Sequence, residues 1–156
     1  MINDQDKIAA SFKKLLLFSG LFNIIFAFPL AVPFAFQEYL DLLSSFNQRL
    51  QLGGLPIPPV GDGVHALLIN TVGIDLILIG GVVLYAAYDP TKRTGIPLLN
   101  AVGRTMFFFI ILYYIIAFNI ARIVLVFGII DVVISAGFIF FIWKLRERNR
   151  AKIFSI

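Results

Sequence analysis

Four continuous apolar runs, at residues 15–36, 66–88, 96–118 and 123–143, dominate the pattern of hydrophobic and polar positions along the chain. Each reaches the roughly 20 apolar residues that an α-helix needs to cross the hydrocarbon of a bilayer. None shows the two-residue alternation, in segments of about 10 residues, that a membrane β-barrel requires. The pattern therefore predicts an all-α fold, a four-transmembrane-helix bundle forming one integral membrane domain over residues 1–156.

Residues 37–65 form the one long connection. Its first half, "QEYLDLLSSFNQRLQ", places Tyr39, Leu42, Leu43, Phe46 and Leu50 at helical spacing, with polar residues between them. This is the pattern of a short amphipathic helix lying on a membrane surface. Gly53 and Gly54 end it, and the following "LPIPPVGDG" cannot continue a helix, so an extended return is expected before the second span. The segment reads either as a connector lying on lipid or as a lid over an outward-opening pocket.

Composition agrees with the pattern: 60% of the residues are hydrophobic and 14% charged, against about 45–50% and about 25% for a soluble domain. The net charge of +4 is concentrated beside the spans. Lys7, Lys13 and Lys14 precede the first, Lys92 and Arg93 fill the second connection, and Lys144, Arg146, Arg148, Arg150 and Lys152 follow the fourth. Only Arg49 and Arg122 flank the other ends. Basic residues in short loops mark the cytoplasmic side, which puts both termini and the basic tail, residues 144–156, in the cytoplasm. Tyr88 and Trp143 then fall at the inner interface and Tyr39 at the outer one. The expected location is the cell membrane, with a multi-pass topology. The implied partner is the lipid bilayer, with anionic inner-leaflet lipids at the basic flanks rather than nucleic acid. A cleavable signal peptide is a rival reading of the first span, but its apolar run is longer than a usual signal core and no clear small-residue cleavage site follows.

The chain has no cysteine and a single histidine, His65. Disulfide and thiol chemistry, Cys-ligated zinc and iron–sulfur clusters are thereby excluded. One chain also cannot supply two imidazoles to a haem. No cofactor, no metal and no catalytic residue are assigned.

Candidate chemistry lies in the polar residues at membrane depth. Ionisable residues there cost roughly 2.5–3.5 kcal/mol each on insertion scales and suggest a functional site. Asp75, Arg104 and Asp131 are of this kind, and Asn23 and Asn100 accompany them. The run "GIDLILIGG" around Asp75 aligns with "IIDVVISAG" around Asp131, and both acids lie about 12–14 Å below the outer interface at ~1.5 Å per residue. Asn23 and Arg104 share a second layer. An internal repeat of two helical hairpins follows as an expectation, with Asp75 and Asp131 facing one another across the bundle. Three electrostatic outcomes stay open: the acids share a proton, one of them pairs with Arg104, or both are neutral donors. A ligand-binding hypothesis gathers Asp75, Asp131, Asn70, Arg104, Asn23, His65 and Arg122 around an outward-facing polar pocket. The competing interpretation is that the acids and Asn23 are interhelical glue.

The stretch "GIDLILIGGVVLYAAYDPTKRTGIPLLNAVGR", residues 73–104, has a Gly-rich helix, an Asp-Pro turn with basic residues and a Gly-Arg step early in the next helix. It resembles small four-helix bacterial membrane proteins of the DoxX-like type. The resemblance implies a four-helix fold in a bacterial inner membrane and assigns no site residue. Three functions compete. The favoured one is a non-catalytic subunit or helper of a membrane complex, partnered by another membrane protein or by copies of itself. The others are a bundle binding lipid or an apolar small molecule, with proton transfer between Asp75 and Asp131, and a proton-coupled transporter.

Overall fold

The computed structural model of the chain describes the backbone of residues 4–153 and the side chains of residues 6–147. The side chains of Arg148, Arg150 and Lys152, and residues 154–156 of the basic tail, lie outside the described residues. Among the described residues the fold is all-α: α1 (Asp4–Ala31), α2 (Phe36–Arg49), α3 (Gly63–Ala86), α4 (Gly95–Phe118) and α5 (Ile123–Ile153). All but α2 are long and apolar enough to cross a membrane.

The boundaries of the first span differ from the expectation. The apolar run continues to Phe36, but α1 stops at Ala31 and Phe36 opens α2. Pro33 explains the break, because it has no N–H to continue the helical ladder and it disfavours helical backbone in the residue before it. Residues 32–35 turn instead, with Ala35 N–H and Phe36 N–H both donating to Val32 O. Pro29 lies within the last turn of α1. At the other extreme α5 runs past its predicted limit of 143 into the basic segment.

The four long helices pack in the order α3, α1, α5, α4, with only a small contact between α3 and α4. At the end carrying both termini and the 87–94 loop, Phe12, Leu16, Val83, Ala101, Ile134, Phe138 and Ile142 form a buried apolar cluster. Phe12 meets Phe138 edge-on at 6.1 Å and stacks on Phe141 at 5.6 Å. Arg93 closes α3 there, with Nη1 donating to Tyr85 O at 2.7 Å and the guanidinium 3.8 Å from the Tyr85 ring centroid.

The α1–α3 contact depends on glycine. In lipid there is no hydrophobic drive between apolar helices, so close backbone approach supplies the attraction. A Cβ on Gly80 would meet Gly20 O at 2.8 Å, and one on Gly20 would meet Leu84 Cγ at 2.6 Å. A Cβ on Gly73 would collide with the backbone of Leu30 and Ala31.

At the opposite end the long connection folds back onto the α4–α5 turn. Gly53 and Gly54 take φ of 85° and 83°, a region that residues with a Cβ enter only at a cost. Gly53 O accepts from Asn47 Nδ2 at 3.0 Å and from Arg122 N–H at 3.2 Å, while Leu55 N–H donates to Asn119 O at 2.7 Å. Asn47 Oδ1 accepts from Ile123 N–H at 2.9 Å, so a side chain of α2 caps the first turn of α5. Asp62 caps α3, accepting from the N–H groups of Val64 and His65 at 3.0 Å.

Candidate functional site

Three helices each bring an i, i+4 pair of polar residues to one point in the bundle: Ser19 and Asn23 from α1, Asn100 and Arg104 from α4, Asp131 and Ser135 from α5. Four-residue spacing stacks two side chains on one helix face, so each pair enters the interior together. Arg104 is at the centre and is 6% exposed. Its Nε donates to Asn100 Oδ1 at 2.8 Å, and Nη2 donates to Ser19 Oγ at 3.0 Å and Asn23 Oδ1 at 2.6 Å. Nη1 pairs with Asp131 Oδ1, whose side chain is 13% exposed. Ser135 Oγ donates to Asp131 O at 2.8 Å and reaches Ala101 O at 3.2 Å.

The cluster is closed on itself. Among the described residues no buried side-chain nitrogen or oxygen lacks a hydrogen-bond partner. Arg104 neutralises Asp131, and its nitrogens are occupied on three sides by acceptors from α1, α4 and α5. Such a network fixes helix register and rotation, and it presents no free acid, base or nucleophile. Among the described residues there is also no group of three His, Cys, Asp or Glu side chains arranged to hold a metal ion.

Asp75 lies elsewhere. It is exposed on α3, α3 and α5 share no substantial packing, and among the described residues no hydrogen bond or ion pair engages its carboxylate. The expectation that Asp75 and Asp131 face one another is overturned. The reason is rotational: Gly73 and Gly80 define the side of α3 pressed on α1, and two residues beyond Gly73 is about 200° of turn at 3.6 residues per turn. The small residues that bind α3 to α1 therefore turn Asp75 outward. The matching flanks of the two acids, read as a repeat, belong to unlike environments, one exposed and one paired.

The remaining predicted residues also part company. Asn70 Nδ2 donates to Leu30 O at 2.7 Å, covering a carbonyl that the break at Pro33 leaves without a helical donor. His65 pairs with Asp62 in the exposed first turn of α3. Arg122 lies over Gly53, where an added Cβ would be 3.5 Å from Nη1. Asn23, Arg104 and Asp131 are brought together; Asp75, Asn70, His65 and Arg122 are not. A groove of ≈ 240 Å³ beside α4, lined by Leu98, Val102, Met106, Phe109 and Ile139 among others, contains none of them.

Two members of the hydrogen-bonded framework escape a reading based on ionisable residues. Ser19 sits four residues before Asn23, and that spacing is the signal that could have found it. Asn47 falls among Leu43 and Leu50 on the apolar stripe of α2, where a polar residue marks a required partner.

No protein-family model, curated protein or solved structure matches this chain. The resemblance of residues 73–104 to DoxX-like proteins thus has no support in these comparisons, and nothing of that family is carried over.

Proposed function

We propose that the chain is a non-catalytic subunit of a membrane complex and that it docks through the face of α3 carrying Asp75. The observation behind this reading is the exposed, unpartnered Asp75 carboxylate at the middle of a span. Asp75 lies about 18 Å from Gly63 and about 16 Å from Ala86 along the helix at ~1.5 Å per residue, too deep for a short side chain to reach the headgroups. A polar group facing hydrocarbon is costly, and a neighbouring helix removes that cost. The self-contained Arg104 cluster supports the same reading, since it stiffens the bundle and leaves no group free for chemistry. Proton transfer between Asp75 and Asp131 has no geometric support. The basic flanks of α1 and α5 and of the 87–94 loop orient the subunit with its termini in the cytoplasm.

Native electrophoresis of gently solubilised membranes from cells producing the tagged chain tests the proposal. The wild type is expected in an assembly larger than the lone chain, and Asp75→Leu is expected to collapse it to the lone chain. A wild type that migrates alone, or an assembly indifferent to Asp75→Leu, would overturn it.

A further inference from the structure

The spans contain two acids and one base, and the structure pairs them unequally. Arg104 is spent on Asp131 inside the bundle, which leaves one carboxylate, Asp75, without a counter-charge at membrane depth. The remaining described basic side chains lie outside the four apolar runs, in the flanking stretches of α1 and α5, in α2 and in the connections. We infer that the face of α3 receives a transmembrane helix of a different protein, one presenting a Lys or Arg at the depth of Asp75. This deepens the proposed docking function and rests on it.

Charge complementarity selects this occupant over a second copy of the chain. A symmetric contact along α3 would bring Asp75 against its own counterpart, and two carboxylates side by side cannot both ionise cheaply. A head-to-tail contact fares no better, because among the described residues no basic side chain other than Arg104 lies within the four apolar runs. A Lys or Arg from another helix restores the neutrality that Arg104 and Asp131 achieve within the bundle. Its long, flexible stem can also meet Asp75 from about a turn away.

The surroundings suit a helix. Thr71, Leu78 and Val82 are exposed on the same side of α3 as Asp75, at the three- and four-residue spacing of one helical face. Thr71 Oγ1 is turned back onto Leu67 O at 2.9 Å, so it adds no second unsatisfied donor to this face. From Thr71 to Val82 the stripe is about 16 Å long, enough for several turns of helix–helix contact centred near the carboxylate.

The test uses the purified full chain in phosphatidylcholine vesicles. A fluorescent label is placed at Gly61→Cys, where an added Cβ meets nothing within 4 Å, and the absence of native cysteine makes the label unique. The probe is a synthetic Leu/Ala transmembrane peptide with a single central Lys, and the readout is energy transfer as lipid dilutes both partners. Association is expected to be about tenfold weaker when the peptide Lys is replaced by Leu, and likewise with Asp75→Asn, the scale of one interhelical polar contact of about 1–2 kcal/mol. The Leu peptide leaves the protein unaltered, so misfolding cannot produce that result. Equal association of the Lys and Leu peptides, or indifference to Asp75→Asn, would sink the inference. So would transfer between two labelled copies that depends on Asp75, which would place a second copy on this face. In each of those cases the docking proposal stands or falls separately, on native electrophoresis.

Discussion

Arg104 of α4 and Asp131 of α5 form an ion pair inside the bundle, and Ser19 and Asn23 of α1 complete the ring around the guanidinium. The network around the pair therefore joins three helices, whereas α3 is held mainly by its glycine contacts with α1, with a smaller contact to α4. Breaking a buried pair from one side leaves an uncompensated charge and costs about 3–5 kcal/mol, while replacing both partners by apolar residues is often nearly neutral. Arg104→Met is accordingly expected to be severely destabilising, and the Arg104→Met/Asp131→Leu double variant is expected to recover much of the loss. Reversible unfolding in mixed micelles measures all the corners of this cycle. Additive losses would show that the two residues act independently.

The α1–α3 seam gives a sharper steric contrast. Gly80 and Gly81 are sequence neighbours on α3, but a Cβ on Gly80 would meet Gly20 O at 2.8 Å and one on Gly81 would meet nothing within 4 Å. Gly80→Ala is expected to cost about 1–3 kcal/mol through forced separation of the helices. Gly81→Ala should be neutral or slightly stabilising, because alanine loses less backbone freedom in a helix. The same unfolding measurement on the two variants decides, and a Gly81→Ala loss as large as that of Gly80→Ala would contradict the packing.

The Arg104 network and the glycine seam are also where the sequence pattern stops being informative. Span number and the all-α class follow from the length of the apolar runs, and the short helix between the first two spans from its helical spacing of apolar residues; both signals survive ignorance of every contact. The break at Ala31 was concealed because hydrophobicity continues through Pro33 to Phe36 while backbone geometry does not. The paired acids misled for a different reason. Asp75 and Asp131 have similar flanks and depth, yet helix rotation, set by which small residues touch a neighbour, sends one outward and the other inward. Depth is readable from counting residues; rotation about the helix axis depends on tertiary packing, here on Gly73 and Gly80 against α1.

Asn47 offers a test of the end where α2 meets the α4–α5 turn. It accepts from Ile123 N–H at 2.9 Å and donates to Gly53 O at 3.0 Å, and it is buried. Asn47→Leu would strand both backbone groups, at about 1–3 kcal/mol for each buried group left unsatisfied. The loss is expected to be local, because the apolar cluster lies at the other end of the bundle and the Arg104 network is satisfied without Asn47. Hydrogen exchange should quicken at Ile123 and along the Gly53–Leu55 stretch and stay slow at Val83 and Ile134. Uniformly faster exchange through all four long helices would show that α2 supports the whole bundle.

Asp62 supplies the pH dependence. Its carboxylate accepts the backbone N–H of His65, then the His65 side chain and the Val64 N–H, and these hold its pKa below the ordinary aspartate value. A lowered folded pKa means that the charged cap contributes stability which is fully present above the unfolded value of about 3.9. That contribution is lost as pH falls through the lower folded value. Asp62→Asn keeps a capping oxygen and removes the charge, so the difference between wild type and variant isolates this contribution. The difference is expected to favour the wild type, to stay flat above about pH 5 with respect to Asp62 ionisation, and to shrink under more acidic conditions. Thermal unfolding of both proteins in the same micelles across that range provides the measurement, and an advantage that grows on acidification would mean that Asp62 is destabilised in the folded chain.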